Sequence, residues 1–96
     1  MPTYVTLIQY TEQGVKTYKE LPARLEETRS AGEAVGAKLV AYYLTMGQYD
    51  AIVVSEAPDD QTIAKLALAA GGRGNVRTET MRAFTEEEAK SIAAGL

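Results

Sequence analysis

Four strand-like segments and two longer helical ones alternate as β-α-β-β-α-β along the 96 residues, and a short amphipathic stretch comes last. Three observations carry this reading. Runs rich in β-branched and aromatic residues occur at Thr3 to Tyr10, Lys38 to Met46, Tyr49 to Ala57 and Asn75 to Phe84. Between them, apolar residues recur at three-and-four spacing, the period of a helix. The middle two runs are joined by Gly47-Gln48, a glycine-led reversal. This order predicts an α+β fold, ferredoxin-like, with a C-terminal helix added. Right-handed crossovers make the four-stranded sheet antiparallel and put both main helices on one face. A chain of this length makes one domain, residues 1–96.

The first strand alternates Tyr4, Thr6, Ile8 and Tyr10 with Val5, Leu7 and Gln9, and neither set is polar throughout. Both faces are therefore expected to be covered. Thr11 is the expected N-cap of the next helical segment, with Gly14 close behind. From there Val15, Tyr18, Leu21, Leu25, Thr28, Gly32 and Val35 trace one helix face, interrupted by Pro22. Either a short helix ends near Glu20 and a second begins with Pro22 in its first turn, or one helix kinks there. We read a break or kink just before Pro22 and a C-cap at Gly36.

In the second strand, Leu39, Ala41, Tyr43 and Thr45 oppose Val40, Tyr42, Leu44 and Met46. Gly47 supplies the positive φ that a type II′ hairpin needs at its first central position. The third strand contains Ala51-Ile52-Val53-Val54 and stops at Pro58, after which Asp59 or Asp60 caps a helix to about Ala70. Ile63, Leu66, Ala67 and Ala70 form its inner face, and Gly71-Gly72-Arg73-Gly74 ends it. After the fourth strand, Thr85-Glu86-Glu87-Glu88 has the form of a capping box, and Ala89, Ile92, Ala93 and Leu96 share one side of the helix it opens.

Composition excludes several chemistries. Without cysteine there is no disulfide, thiolate metal site or thiol nucleophile. Without histidine there is no imidazole base, His-ligated metal or proximal-His haem. No cofactor and no metal are called for. A net charge of −3 with dispersed Lys and Arg gives no basic face for nucleic acid. Apolar runs fall far short of the roughly 20 residues that span a bilayer. Met1-Pro2-Thr3-Tyr4 has neither a basic nor an apolar leader region, so a cytoplasmic protein is expected.

With both helices on one face, the other sheet face stays apolar whichever parity it shows. An exposed apolar sheet of this size is an aggregation hazard or an interface. Two copies packed sheet to sheet, a homodimer or higher homo-oligomer closing into a barrel, would cover it.

The motifs resemble a named family. Gly47-Gln48-Tyr49-Asp50 matches the glycine-tyrosine-aspartate signature of the GYD domain, found in small bacterial proteins of unknown function. The similarity extends to Thr11-Glu12-Gln13-Gly14, Tyr43-Leu44-Thr45-Met46-Gly47, Glu56-Ala57-Pro58-Asp59-Asp60 and the run Gly74 to Phe84. The resemblance implies a ferredoxin-like fold of the dimeric α/β-barrel type. It assigns no activity.

Candidate site residues are few. Tyr49 and Asp50 could sit at a pocket mouth, Asp50 as base and Tyr49 as acid or hydrogen-bond donor. Adjacent residues on a strand point to opposite faces, however, which opposes a local acid–base pair and favours a turn role. Thr6, Thr78, Thr80, Arg82, Tyr4 and Tyr43 could line a semi-polar cavity in which Arg82 would favour a carboxylate. A polar-speckled dimer interface competes with that account. Gly71-Gly72-Arg73-Gly74 runs from helix into strand, where carbonyls and not N–H groups are presented, so it reads as a cap and not a phosphate loop. Asp59-Asp60 reads as helix capping, not metal ligation.

The leading functional reading is a homodimeric module that binds a small anionic or aromatic ligand or stabilises an assembly. The first alternative is a cofactor-independent enzyme, oxygenase- or isomerase-like, acting on a small organic acid or aromatic. The second is a purely structural oligomer.

Overall fold

The computed structural model describes residues 1–96. Strand β1 (Thr3–Tyr10) leads into helix α1 (Glu12–Lys16), a 3-10 turn over Tyr18–Glu20 and helix α2 (Leu21–Ala34). Next come strands β2 (Lys38–Leu44) and β3 (Ala51–Glu56), helix α3 (Asp60–Gly72), strand β4 (Val76–Ala83) and helix α4 (Glu86–Ala94). The sheet order is β2-β3-β1-β4 with every neighbouring pair antiparallel, the ferredoxin-like arrangement. No helix is long and apolar enough to cross a membrane.

Local chemistry sets most boundaries. Thr11 caps α1 through a bond from the Gly14 N–H, and Asp59 caps α3 through one from the Thr62 N–H. Pro22 stands in the first turn of α2, where its missing N–H is no loss, so the chain breaks there instead of kinking. That break and the 3-10 turn shift the helical phase. The stripe drawn from Val15 to Val35 is therefore not one buried face: Val15 is 62% and Val35 49% exposed, while Leu21 and Leu25 face the sheet. At the other end of the chain the capping box forms as its residues predict. The Glu88 N–H donates to Thr85 Oγ1 and the Thr85 N–H donates to Glu88 Oε1.

The reversal between β2 and β3 is wider than a two-residue hairpin. The Thr45 N–H donates to the Asp50 carbonyl at 2.8 Å, leaving Met46 to Tyr49 as a four-residue loop. Gly47 keeps a positive φ of 118°, and a Cβ there would meet nothing, so backbone conformation alone selects glycine.

Helices α2 and α3 lie over the sheet face that carries Thr6, Ile8 and Tyr10, leaving Val5, Leu7 and Gln9 on the open face. The packed core is small. Tyr4, 2% exposed, meets Ala37 and Ala57, with Ile63 and Leu66 packed against them. The other wholly buried apolar residue is Ala51. Between this cluster and the far end of the sheet, the space that larger side chains would fill is open.

Candidate functional site

That space is a cavity of about 390 Å³ between the sheet and the two long helices. Strand alternation builds its floor. Thr6 lies opposite Val53 on β3 and Thr80 on β4, and Ile8 lies opposite Thr78, so these side chains share one surface. Tyr10, Tyr42 and Ser55 complete the floor, and Leu21, Arg24, Leu25 from α2 with Leu66 and Ala67 from α3 form the roof. The floor is rich in hydroxyl groups and the roof is mainly apolar.

Tyr42 reaches this surface because β2 carries a bulge. Leu39 pairs with Ser55 and Ala41 with Val54, so one residue is left over at Val40. The bulge reverses the alternation expected for β2. Leu39 and Tyr42 share the covered face, whereas Tyr43 pairs with Ile52 on the open face and is 61% exposed. A lone extra residue leaves no trace in the hydrophobic pattern of a run as apolar as this one.

Three phenols meet at the Tyr42 side of the cavity. Tyr42 Oη lies 2.5 Å from Tyr10 Oη and 3.3 Å from Tyr18 Oη, and the rings of Tyr10 and Tyr18 meet edge to face at 5.3 Å. Burial pushes the Tyr10 phenol up from its ordinary value. Burial, together with hydrogen bonds from Tyr10 and Tyr18, pushes Tyr42 up further. Tyr10 and Tyr42 are thus held neutral, as donors and acceptors and not bases. Thr6 and Thr80 pair their hydroxyls across the floor at 3.1 Å.

The roof contributes one cation with unspent donors. Arg24 Nη2 bonds Thr17 Oγ1 and lies 3.5 Å from Glu20, but its Nη1 is buried with no hydrogen-bond partner. An unpaired buried donor of a charged group costs about 1–3 kcal/mol or more. The other charged residues bordering the cavity are Glu20, Glu27, Lys38 and Arg73, and Arg73 is paired with Glu27 at 3.1 Å.

The structure brings Thr6, Thr78 and Thr80 into the cavity lining and places the other sequence candidates elsewhere. Tyr4 is buried in the core, its hydroxyl donating to Asp60 Oδ1 at 2.5 Å. Arg82 is not the cavity's arginine. It stacks 4.5 Å from the Phe84 ring, bonds the Thr3 and Ala83 carbonyls and faces Glu88 at 3.9 Å. Tyr43 is on the opposite sheet face. Tyr49 donates to Glu79 Oε2 at 2.7 Å, and this bond, with the like charge, raises its pKa. Asp50 Oδ2 accepts the Tyr10 N–H at 2.8 Å, while the Asp50 N–H donates to the Ile8 carbonyl. Asp50 and Tyr49 therefore serve separate partners. Sequence reasoning missed the Tyr10, Tyr18 and Tyr42 cluster and Arg24. For Arg24, placement on the same helical face as Leu21 and Leu25 was the available signal, masked by its neighbouring acids.

The glycine-rich loop presents carbonyls. Thr11 Oγ1 donates to Gly74 O at 2.6 Å, the Thr11 N–H to Asn75 O at 3.1 Å, and Gln13 Nε2 to Arg73 O at 3.2 Å. It is a clamp between α1 and the start of β4.

A known protein is a sequence relative of this chain, and solved structures share its fold. A Thermus thermophilus protein named glutamine synthetase and cystathionine beta-lyase binding protein is 37% identical over 85 residues, 88% of this chain and 90% of that one. The fold also matches the crystal structure of a Thermus thermophilus protein with a TM-score of 0.56 and 21% identity, over 88% of this chain and 95% of that one. A hypothetical protein of Pyrococcus horikoshii matches with a TM-score of 0.53 and 19% identity, over 90% and 93%. The GYD domain model matches residues 4–93, and the chain belongs to the GYD domain family.

Proposed function

We propose that this chain is a cytoplasmic homodimeric binding module that pairs through its open sheet face, docks on other proteins and holds a small molecule between sheet and helices. The observation that carries the pairing is the composition of that face. Val5, Leu7, Ile52, Val54 and Met81 lie together with Tyr43 on the face opposite α2 and α3, and Tyr43 and Met81 are 61% and 44% exposed. The face is apolar at its centre and charged at one end, where Glu79 lies opposite Leu7 and Arg77 opposite Gln9. An uncovered apolar centre calls for a partner surface, and a second copy offers the same face in self-complementary form. Helix α4 would add to the contact, since its Ile92 is 52% exposed.

The name of the Thermus thermophilus relative supports protein partners. By extension, the glutamine synthetase and cystathionine beta-lyase of this protein's own organism are the first candidates. Neutral phenols and the lack of histidine favour binding over turnover. Light scattering at micromolar concentration should report a dimer of the 10.4 kDa chain, and Leu7→Arg should yield a folded monomer. A wild-type chain that stays monomeric across that range would remove the sheet-to-sheet reading. Surface plasmon resonance against the two purified enzymes tests the docking role, and no response from either would remove it.

A further inference from the structure

We propose that the cavity between sheet and helices is a site for a small monocarboxylate with an apolar body, its carboxylate paired with Arg24. The proposal rests on the small-molecule reading above and names the ligand class.

Volume supplies the first argument. Protein interiors close-pack, and voids beyond the size of a water molecule are few. Here about 390 Å³ stands open, within the roughly 300–1,000 Å³ of small-molecule sites. Small side chains keep it open. Ala31 on α2 and Ala67 and Ala70 on α3 line it with single methyl groups where leucines would fill it.

Charge supplies the second. Glu20 and Thr17 both engage Nη2 of Arg24, leaving Nη1 buried and unpaired. Glu27 is taken by Arg73, and Lys38 adds a further positive charge at the rim. The bordering charges are three positive (Arg24, Lys38, Arg73) against two negative (Glu20, Glu27), so the site favours an anion. The unpartnered Nη1 is covered, so pairing with a ligand requires the Arg24 side chain to turn. A single such nitrogen matches a single carboxylate, the acceptor that guanidinium fits best. The rest of the cavity selects the body. Leu25, Leu66, Ile8 and Val53 are apolar, while the Thr6–Thr80 hydroxyl pair and Ser55 can each take one polar substituent.

Calorimetric titration tests this with 3-phenylpropionate, hexanoate and the neutral 3-phenylpropanamide as probes. At least one acid should bind, and the amide should bind about tenfold more weakly than 3-phenylpropionate, the size of one charge-assisted bond. Arg24→Gln should bring the acid down to the affinity of the amide. Ala67→Phe, which fills the roof, should abolish binding of both while circular dichroism and light scattering stay unchanged. If Arg24→Gln does not fold, the acid-to-amide ratio and Ala67→Phe still decide. Equal affinity for acid and amide would overturn the carboxylate assignment and leave small-molecule binding standing. Binding that survives Ala67→Phe would overturn the location, and failure of both acids to bind would overturn the proposal. The dimer is scored separately by light scattering.

Discussion

Asp50 accepts the backbone N–H of Tyr10 at 2.8 Å and so closes the end of a strand from which it is 40 residues distant in sequence. Its own N–H donates to Ile8 O, and its carbonyl accepts from Thr45. The aspartate of the signature motif is a brace among β1, β2 and β3. Asp50→Ala leaves the Tyr10 N–H without that acceptor and should cost about 1–3 kcal/mol in urea unfolding. Asp50→Asn, which keeps an acceptor oxygen, should cost less.

Gly14 is set by a close approach of backbone to backbone. A Cβ there would lie 2.1 Å from the Asn75 carbonyl oxygen, and backbone cannot move aside as a flexible side chain does. Gly14→Ala should destabilise the fold by about 1–3 kcal/mol, visible as a lower melting temperature. Gly71→Ala, where a Cβ meets nothing, should be close to neutral or stabilising.

The tyrosine cluster predicts an alkaline limb. Tyr10 and Tyr42 have raised pKa values in the folded chain, whereas unfolded tyrosines titrate near 10.0. Their contribution to stability is full below pH 10.0 and is lost as the pH climbs above it towards the folded values. Tyrosinate absorbance should show these two phenols ionising above pH 10.0 or together with unfolding. Tyr42→Phe should remove the late component contributed by Tyr42.

An acid limb comes from two helix caps. Backbone hydrogen bonding to Thr85 holds Glu88 below its ordinary 4.5, and bonds from Thr62 hold Asp59 below 3.8. Each contribution is present above the ordinary value and is lost as the pH falls through the depressed one. Helicity followed by circular dichroism should fall as the pH drops below those ordinary values, and Glu88→Gln with Asp59→Asn should flatten that limb.

Elements legible in the sequence are those whose causes lie within a few residues. The α4 cap needs only Thr85 and Glu88, three positions apart. The break before α2 needs only Pro22, and the end of α2 is marked by Gly36 at φ 80°. The inner face of α3 was readable from its spacing, because Ile63, Leu66, Ala67 and Ala70 sit on one uninterrupted helix. Of the stripe from Val15 to Val35, Leu21, Leu25, Thr28 and Gly32 line the cavity, whereas Val15 lies before two changes of helical phase and Val35 is the C-cap, past the last helical residue.

The sequence by itself determined the order of elements, their caps and the family, because hydrogen-bonding and period are local properties of the chain. The tertiary structure alone decided which sheet face the helices cover, since both parities of β1 are apolar enough to be buried. It placed Tyr42 and not Tyr43 over the cavity, through a bulge that becomes visible only against the register of β3. It also chose Arg24 over Arg82 as the cavity's cation, because position between layers depends on how α2 docks, and docking is settled by contacts among residues distant in sequence.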